Sequence, residues 1–120
     1  MIDLKLQPET LEKNIAYCRD KGITLPTFDM MKHPEKVPVQ IKEQLKTTGL
    51  WDLHPANLYR ITWQNEPQDA GGLFGDVNHI LLPAKLPGCR ANIIMLTGRW
   101  FPTGAHKVGA TFGCLVPRLV

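Results

Sequence analysis

A short run in the last quarter of this 120-residue sequence has the residue types best suited to chemistry, in the order Thr103-Gly104-Ala105-His106-Lys107. Threonine, glycine and the preceding Pro102 are typical of turns and helix caps, so we expect a tight turn and then a helix with Lys107 in its first turn. The segment after Lys107 is apolar, which predicts a buried helix. Burial and the positive end of the helix dipole both favour the neutral amine, which attacks carbonyl carbons to form a Schiff base. The run therefore predicts a reactive lysine.

Lys107 has two other interpretations, a structural lysine and the lysine of a phosphate-binding loop. A structural lysine at a helix start would extend its ammonium group to solvent or to a carboxylate. A phosphate-binding loop needs a glycine directly before the lysine and a hydroxyl residue directly after it. Here Ala105 and His106 separate Gly104 from Lys107, and Val108 replaces the hydroxyl residue, so the sequence disfavours a phosphate-binding loop.

The elements that must position Lys107 precede and follow it directly. The run Ile93-Ile94-Met95-Leu96, bounded by Gly98, predicts a strand. In the helix after Lys107, Gly109 and Gly113 lie four residues apart on one face. Each glycine costs a helix about 1 kcal/mol relative to alanine, so we expect that face to be kept small, either for packing or for a ligand. Cys114 is interpreted as a buried structural cysteine.

The run Thr103-Gly104-Ala105-His106-Lys107 resembles the lysine segment of tryptophan synthase β chains and, more loosely, the Thr-Gly-Ser-x-Lys segment of fold type II pyridoxal-phosphate enzymes. The resemblance implies the α/β fold of that superfamily, with the lysine between a strand and a helix. It implies that Lys107 forms the Schiff base with pyridoxal 5'-phosphate in the complete protein and carries a proton. It also implies that His106 lies near the cofactor phosphate. The implied reaction is α,β-elimination or β-replacement on a small-molecule amino-acid substrate.

Composition limits the other classes of function. A net charge of +3, from 14 basic and 11 acidic residues scattered along the chain, does not suggest binding to nucleic acid. No long apolar span or signal peptide is evident, so no membrane association is expected. The histidines and cysteines lack metal-ligand spacing. The three cysteines are odd in number and far apart, which favours a cytoplasmic protein.

The N-terminal half is predicted to be helical. We expect a helix over residues 8–21 with Leu11, Ile15 and Cys18 on one face, a single turn capped by Thr27, and a helix over residues 38–48. Residues 1–50 would form a helical extension, and residues 51–120 the start of an α/β cofactor-binding domain.

Residues 58–63 alternate between polar and apolar or aromatic residues, which predicts a half-buried strand. The polar, glycine-rich residues 64–76 are either a surface connection or a mobile loop near a ligand. Residues 79–83 are apolar and fit a strand or a helix.

The resemblance and the few predicted strands together suggest a piece of a larger sheet. Fold type II enzymes are longer and supply the substrate-carboxylate loop and the phosphate loop after the lysine helix. We therefore interpret the chain as the N-terminal portion of such an enzyme, inactive alone, with exposed apolar surface and either a homo-oligomer or the complementing remainder of the enzyme as partner. The alternative is a small non-catalytic association domain derived from that fold.

Overall fold

The computed structural model describes residues 5–67, 69, 72–86, 88 and 90–118. Cys89, one of the three cysteines considered above, lies outside them. The described residues mix helices with a small sheet, so the α/β class is correct in the broad sense. In chain order the elements are α1 (Pro8–Asp20), α2 (Phe28–Lys32), α3 (Val39–Thr47), β1 (His79–Leu82), β2 (Ile93–Leu96) and α4 (Lys107–Leu115). Short 3-10 turns cover Pro34–Lys36, Pro55–Arg60, Pro102–Gly104 and Val116–Arg118.

Helix α1 confirms the predicted helix over residues 8–21. Pro8 occupies its first turn, where a missing N–H has no cost. At its other end Gly22 takes a φ of 61°, and the N–H of Ile23 donates to the carbonyl of Cys18 at 2.8 Å. This is the glycine-dependent Schellman ending of a helix. No residue of α1 is buried, so its apolar stripe faces solvent.

The next two helices also follow their predicted signals. The Thr27 side chain accepts a hydrogen bond from the N–H of Met30 at 3.1 Å and caps α2. Helix α3 begins after Pro38 and ends at Thr47, close to the predicted residues 38–48. Its Leu45 side chain is completely buried.

The strand predicted over residues 58–63 is wrong. Pro55–Arg60 is a 3-10 helix that begins with the His54 ring accepting a hydrogen bond from the N–H of Ala56. The polar residues of this segment face inward, because Asn57 and Arg60 are both buried and pair with each other. Alternating polarity therefore reflects a buried polar network here, rather than one wet and one dry face of a strand.

Arg60 is the centre of that network and is completely buried. Its Nη2 donates to the carbonyl of Leu45 at 2.6 Å, its Nη1 donates to Asn57 Oδ1, and its own carbonyl accepts from Asn65 Nδ2 at 2.6 Å. Burial lowers the pKa of the Arg60 guanidinium, and the charge of Asp52 opposes that shift. The network ties the end of α3 to the 3-10 segment.

Two apolar clusters flank the network. The first joins α3 to the 3-10 segment and contains Val37, Leu45, Ala56 and Tyr59. The second joins the segment after Arg60 to α4 and contains Ile61, Phe101 and Phe112. The lysine-bearing helix is therefore attached to the body of the molecule through this second cluster.

Strands β1 and β2 form an antiparallel hairpin with Leu81 opposite Ile94. The strand predicted over residues 93–96 is confirmed, and the ambiguous residues 79–83 contain the strand that pairs with it. Every residue of the two strands except Leu82 is exposed, on both faces of the pair. The radius of gyration of 17.1 Å exceeds the roughly 14 Å expected for a compact domain of this length, so the molecule is extended.

The described residues of the predicted loop, 64–67, 69 and 72–76, fold back on themselves. Asn65 and Phe74 form an isolated antiparallel bridge. Gly72, at a φ of 62°, lies so close to α3 that a Cβ there would be 2.9 Å from the carbonyl oxygen of Leu45. Asn78 Nδ2 then donates to the carbonyl of Asn65, which joins the base of the hairpin to the network.

Candidate lysine site

The turn before Lys107 is built largely from backbone hydrogen bonds. The N–H of Phe101 donates to Gly98 at 3.2 Å, and the N–H of Gly104 donates to Phe101 at 2.8 Å. The N–H of Thr103 donates to the carbonyl of Leu50 at 2.8 Å, which fixes the turn to a distant segment. The predicted order of strand, turn and lysine helix is therefore present.

Thr103 has an unusual backbone conformation, with a φ of 61° and a ψ of 12°. A β-branched residue in the left-handed region is a genuine outlier, and such strain costs about 1–3 kcal/mol. Gly104 follows with a φ of 67°, which a glycine adopts without strain. Strained residues cluster at functional sites, so this outlier, four residues before the lysine, marks the turn as a candidate site.

Helix α4 presents one face to the body of the molecule. Phe112 is buried, and Val108 and Val116 on the same face pack on the second apolar cluster. A Cβ on Gly109 would lie 3.3 Å from the Ile61 Cγ2, so this glycine permits the close approach predicted for it. A Cβ on Gly113 would meet nothing within 4 Å, so that glycine has no packing role among the described residues.

Lys107 lies on the opposite face of α4. The expectation that Lys107 is buried is wrong: its side chain is exposed and has no hydrogen-bond or ion-pair partner in the described part of the chain. Cys114 was also expected to be buried, and it too is exposed. The reason is the same for both, because no described element covers the face formed by Lys107, Ala110, Thr111 and Cys114.

His106 is held by aromatic packing. Its ring is stacked on Trp63 at a centroid distance of 6.0 Å and an interplanar angle of 28°. Trp63 in turn contacts Phe101 edge-on at 5.1 Å, within the second cluster. A Cβ on Gly98 would lie 2.5 Å from the Cβ of His106, so only glycine fits there. Lys107 therefore follows a residue whose position is fixed.

Sequence reasoning missed the supporting residues of this site. The sequence pattern places Trp63 in a strand and Gly98 at the end of another strand. The aromatic character of Trp63 and Phe101 is the available signal for this packing, because aromatic rings bury large areas and pair with one another. Nothing in the sequence indicates the close approach at Gly98. No sequence signal predicts the positive φ of Thr103.

The site contains one of the features that a pyridoxal-phosphate site needs, which is the amine. An exposed, unpaired primary amine is the group that reacts with an aldehyde, and Lys107 supplies it. Both His106 and Lys107 are exposed, so the described residues do not enclose a cofactor there. The nearby groove on α4, of about 240 Å³, is lined on this helix by Val108, Thr111, Phe112 and Leu115 and is almost wholly apolar. It does not supply groups for a phosphate.

Within the described ranges, no group of three or more histidine, cysteine, aspartate or glutamate side chains is arranged to hold a metal ion. The described helices also include none with the length and apolar character needed to span a membrane. No family model, curated protein or solved structure gives a significant match to this chain.

Proposed function

We propose that this chain is the lysine-bearing part of a fold type II pyridoxal-phosphate enzyme that acts on amino acids by α,β-elimination or β-replacement. Lys107 is the Schiff-base lysine in this proposal, and His106 contributes to the site of the cofactor phosphate. The compartment is the cytoplasm, in keeping with the scattered cysteines. The observation that carries the proposal is an unpaired amine on a small, apolar and uncovered helix face, directly after a strained turn.

The uncovered face of α4 supports a larger assembly around Lys107. Its residues beside the lysine are small or apolar, and such surface is normally covered in a stable protein. Covering it would place the amine in a region of low dielectric, which favours the neutral, nucleophilic form. The chain would then hold the lysine at a defined position and donate or accept the substrate proton at Nζ.

Pyridoxal phosphate supplies the electron sink for bonds at the α-carbon of an amino acid when it is bound. The contribution of the described residues is positional. The Thr103–Leu50 hydrogen bond and the Trp63–His106 stack fix the turn, and Gly98 leaves room for it. Since this part of the chain does not enclose a cofactor, we expect no amino-acid turnover from these 120 residues alone.

The decisive experiment is to sequence the coding region on both sides of this segment in its native context. We expect the reading frame to continue into a Ser-x-Gly-Asn-like loop for the substrate carboxylate and a later glycine-rich loop for the phosphate. The protein encoded there should then be treated with pyridoxal phosphate and borohydride, and the modified lysine located by mass spectrometry. A frame without those segments, or a label on other lysines, would contradict the proposal.

A matched pair of variants controls the labelling. Lys107→Arg keeps the charge but removes the amine, so it should abolish the borohydride-fixed label. Lys85→Arg changes an exposed lysine in the hairpin connection and should leave the label in place. Release of ammonia or a keto acid from an amino acid by the 120-residue chain would show that the expected inactivity is wrong.

A second candidate is a non-catalytic association domain derived from the same fold. The exposed hairpin favours it, because Leu81 and Ile94 are 58% and 61% exposed and lie opposite each other. This candidate predicts a cooperative fold without cofactor and a defined oligomer. The borohydride label distinguishes the two, since an association domain needs no reactive lysine.

A further inference from the structure

Helix α1 carries an apolar stripe that the rest of the described chain leaves uncovered. Leu11, Ile15 and Cys18 are spaced by four and three residues, which is the spacing of a coiled-coil seam. None of these residues is buried, and Ile15 is 39% exposed. After the turn at Gly22, Ile23 and Leu25 line the same groove, which has a volume of about 310 Å³.

The charges beside this stripe show which partner fits it. Glu12 and Arg19 each follow a stripe residue directly and lie seven residues apart, so they occupy the same edge of the stripe. Both are exposed, and neither forms an ion pair in the described part of the chain. The N-terminal half of this edge is therefore acidic and the C-terminal half basic.

An antiparallel pair of identical helices places the same edge of both helices side by side. If Ile15 of one copy packs against Cys18 of the other, Glu12 of each copy lies next to Arg19 of the other. The two-fold symmetry forms this ion pair twice. In the same register Leu11 lies opposite the end of the partner helix near Gly22, where a Cβ would find nothing within 4 Å, so there is room for the leucine side chain.

We propose that α1 is a self-association surface, on which α1 of a second copy of this chain docks antiparallel through Leu11, Ile15 and Cys18. Two symmetric Glu12–Arg19 ion pairs fix the orientation. Because the acidic half of this edge pairs with the basic half of the same edge in another copy, the charges favour a second copy over an unrelated apolar partner. This inference is independent of the proposed function, because it involves neither Lys107 nor a cofactor.

The test uses charge reversal in the full 120-residue chain, with the dissociation constant measured by sedimentation equilibrium. In Glu12→Lys both ion pairs become pairs of positive charges, and in Arg19→Glu they become pairs of negative charges. Each variant alone should dimerise about tenfold more weakly than the original chain. An equimolar mixture of the two variants should recover the original affinity, because every pair is then attractive again.

Lys13→Glu is the matched control, since it reverses a charge next to Glu12 that points away from the stripe. It should leave the dissociation constant unchanged. Because all three positions are exposed, far-ultraviolet circular dichroism should show the same fold in each variant. A chain that stays monomeric, variants that dimerise like the original, or a mixture that does not recover affinity would each overturn the proposal.

Discussion

The Nη2 atom of Arg60 donates a hydrogen bond to the carbonyl oxygen of Leu45 at 2.6 Å, across fifteen residues of sequence. That carbonyl belongs to the last turn of α3, where helical carbonyls have no partner within the helix. A completely buried guanidinium therefore satisfies a helix end that would otherwise be orphaned. The same side chain binds Asn57, so a single residue connects α3, the 3-10 segment and the segment that follows.

Arg60→Ala is expected to destabilise the fold by about 3–5 kcal/mol, because it opens a cavity and leaves two buried acceptors without donors. Arg60→Met keeps most of the volume and should lose about 2 kcal/mol for the acceptors alone. Urea denaturation followed by circular dichroism measures both. Arg90→Ala, at an exposed arginine, is the control and should change the free energy of unfolding by less than about 0.5 kcal/mol.

The backbone of Thr103 offers a test of stored strain. Thr103→Asn places a residue that tolerates a φ of 61° better than threonine, so it should raise the free energy of unfolding by about 1 kcal/mol. Thr24→Asn, at an exposed position with an ordinary φ, should give no gain. Equal effects of the two substitutions, measured by thermal unfolding, would show that Thr103 stores no strain.

The two glycines of α4 are expected to respond differently to alanine. Gly113→Ala should stabilise the helix by about 1 kcal/mol, because the new Cβ meets open space. Gly109→Ala should gain less or destabilise, because its Cβ would press on Ile61 at 3.3 Å. Chemical denaturation of the two variants gives the comparison directly. If both alanine variants gain the same free energy of unfolding, the close approach of Gly109 to Ile61 does not affect stability.

The positions of the helices followed from local signals in the sequence, whereas the surroundings of the site did not. Caps and breakers such as Pro8, Gly22 and Thr27 act within one turn of the chain, so α1 and α2 were predictable. Whether Lys107 is buried depends on which elements cover α4. The sequence cannot show this, because an apolar helix face has the same residue pattern whether or not another element covers it.

Tertiary hydrogen bonding accounts for the largest error. The segment over residues 58–63 has the alternation of a strand, but its Arg60 is buried and donates a hydrogen bond to Asn57 instead of facing water. Alternation records polarity and not the location of a hydrogen-bond partner. The division of the chain into a helical extension over residues 1–50 and the start of an α/β domain over residues 51–120 stays a prediction.

The Asp29–Lys36 pair gives the fold a dependence on pH. Lys36 Nζ donates to Asp29 Oδ2 at 2.7 Å, and this hydrogen bond, with the charges of Lys36, His33 and Lys32, lowers the pKa of the Asp29 carboxyl from its ordinary 3.8 despite some desolvation. A lowered folded-state pKa means that the stabilisation is present above the ordinary pKa and is lost as the pH falls through the lowered one.

Lys36→Gln should therefore raise the pKa of Asp29 toward 3.8, as measured by NMR titration of its carboxyl carbon. The variant should also differ least from the original chain in stability at pH values below the lowered pKa, where the carboxyl is protonated in both. Lys42→Gln, whose ammonium contacts the carbonyl of Glu35 instead, is the control. An Asp29 pKa that stays low in Lys36→Gln would assign the shift to another group.

The cross-strand pair of Leu81 and Ile94 predicts how the exposed hairpin behaves in solution. The two residues lie directly opposite each other on one face of the sheet, and exposed apolar surface of this kind binds other apolar surfaces. The double substitution Leu81→Thr with Ile94→Thr keeps strand propensity and removes the apolar pair. It should lower both the fluorescence of a dye for exposed apolar surface and light scattering at high protein concentration. Val39→Thr, at a residue 66% exposed in α3, is the control and should change neither signal. Unchanged dye fluorescence and light scattering in the double variant would show that the hairpin is not the apolar surface that binds.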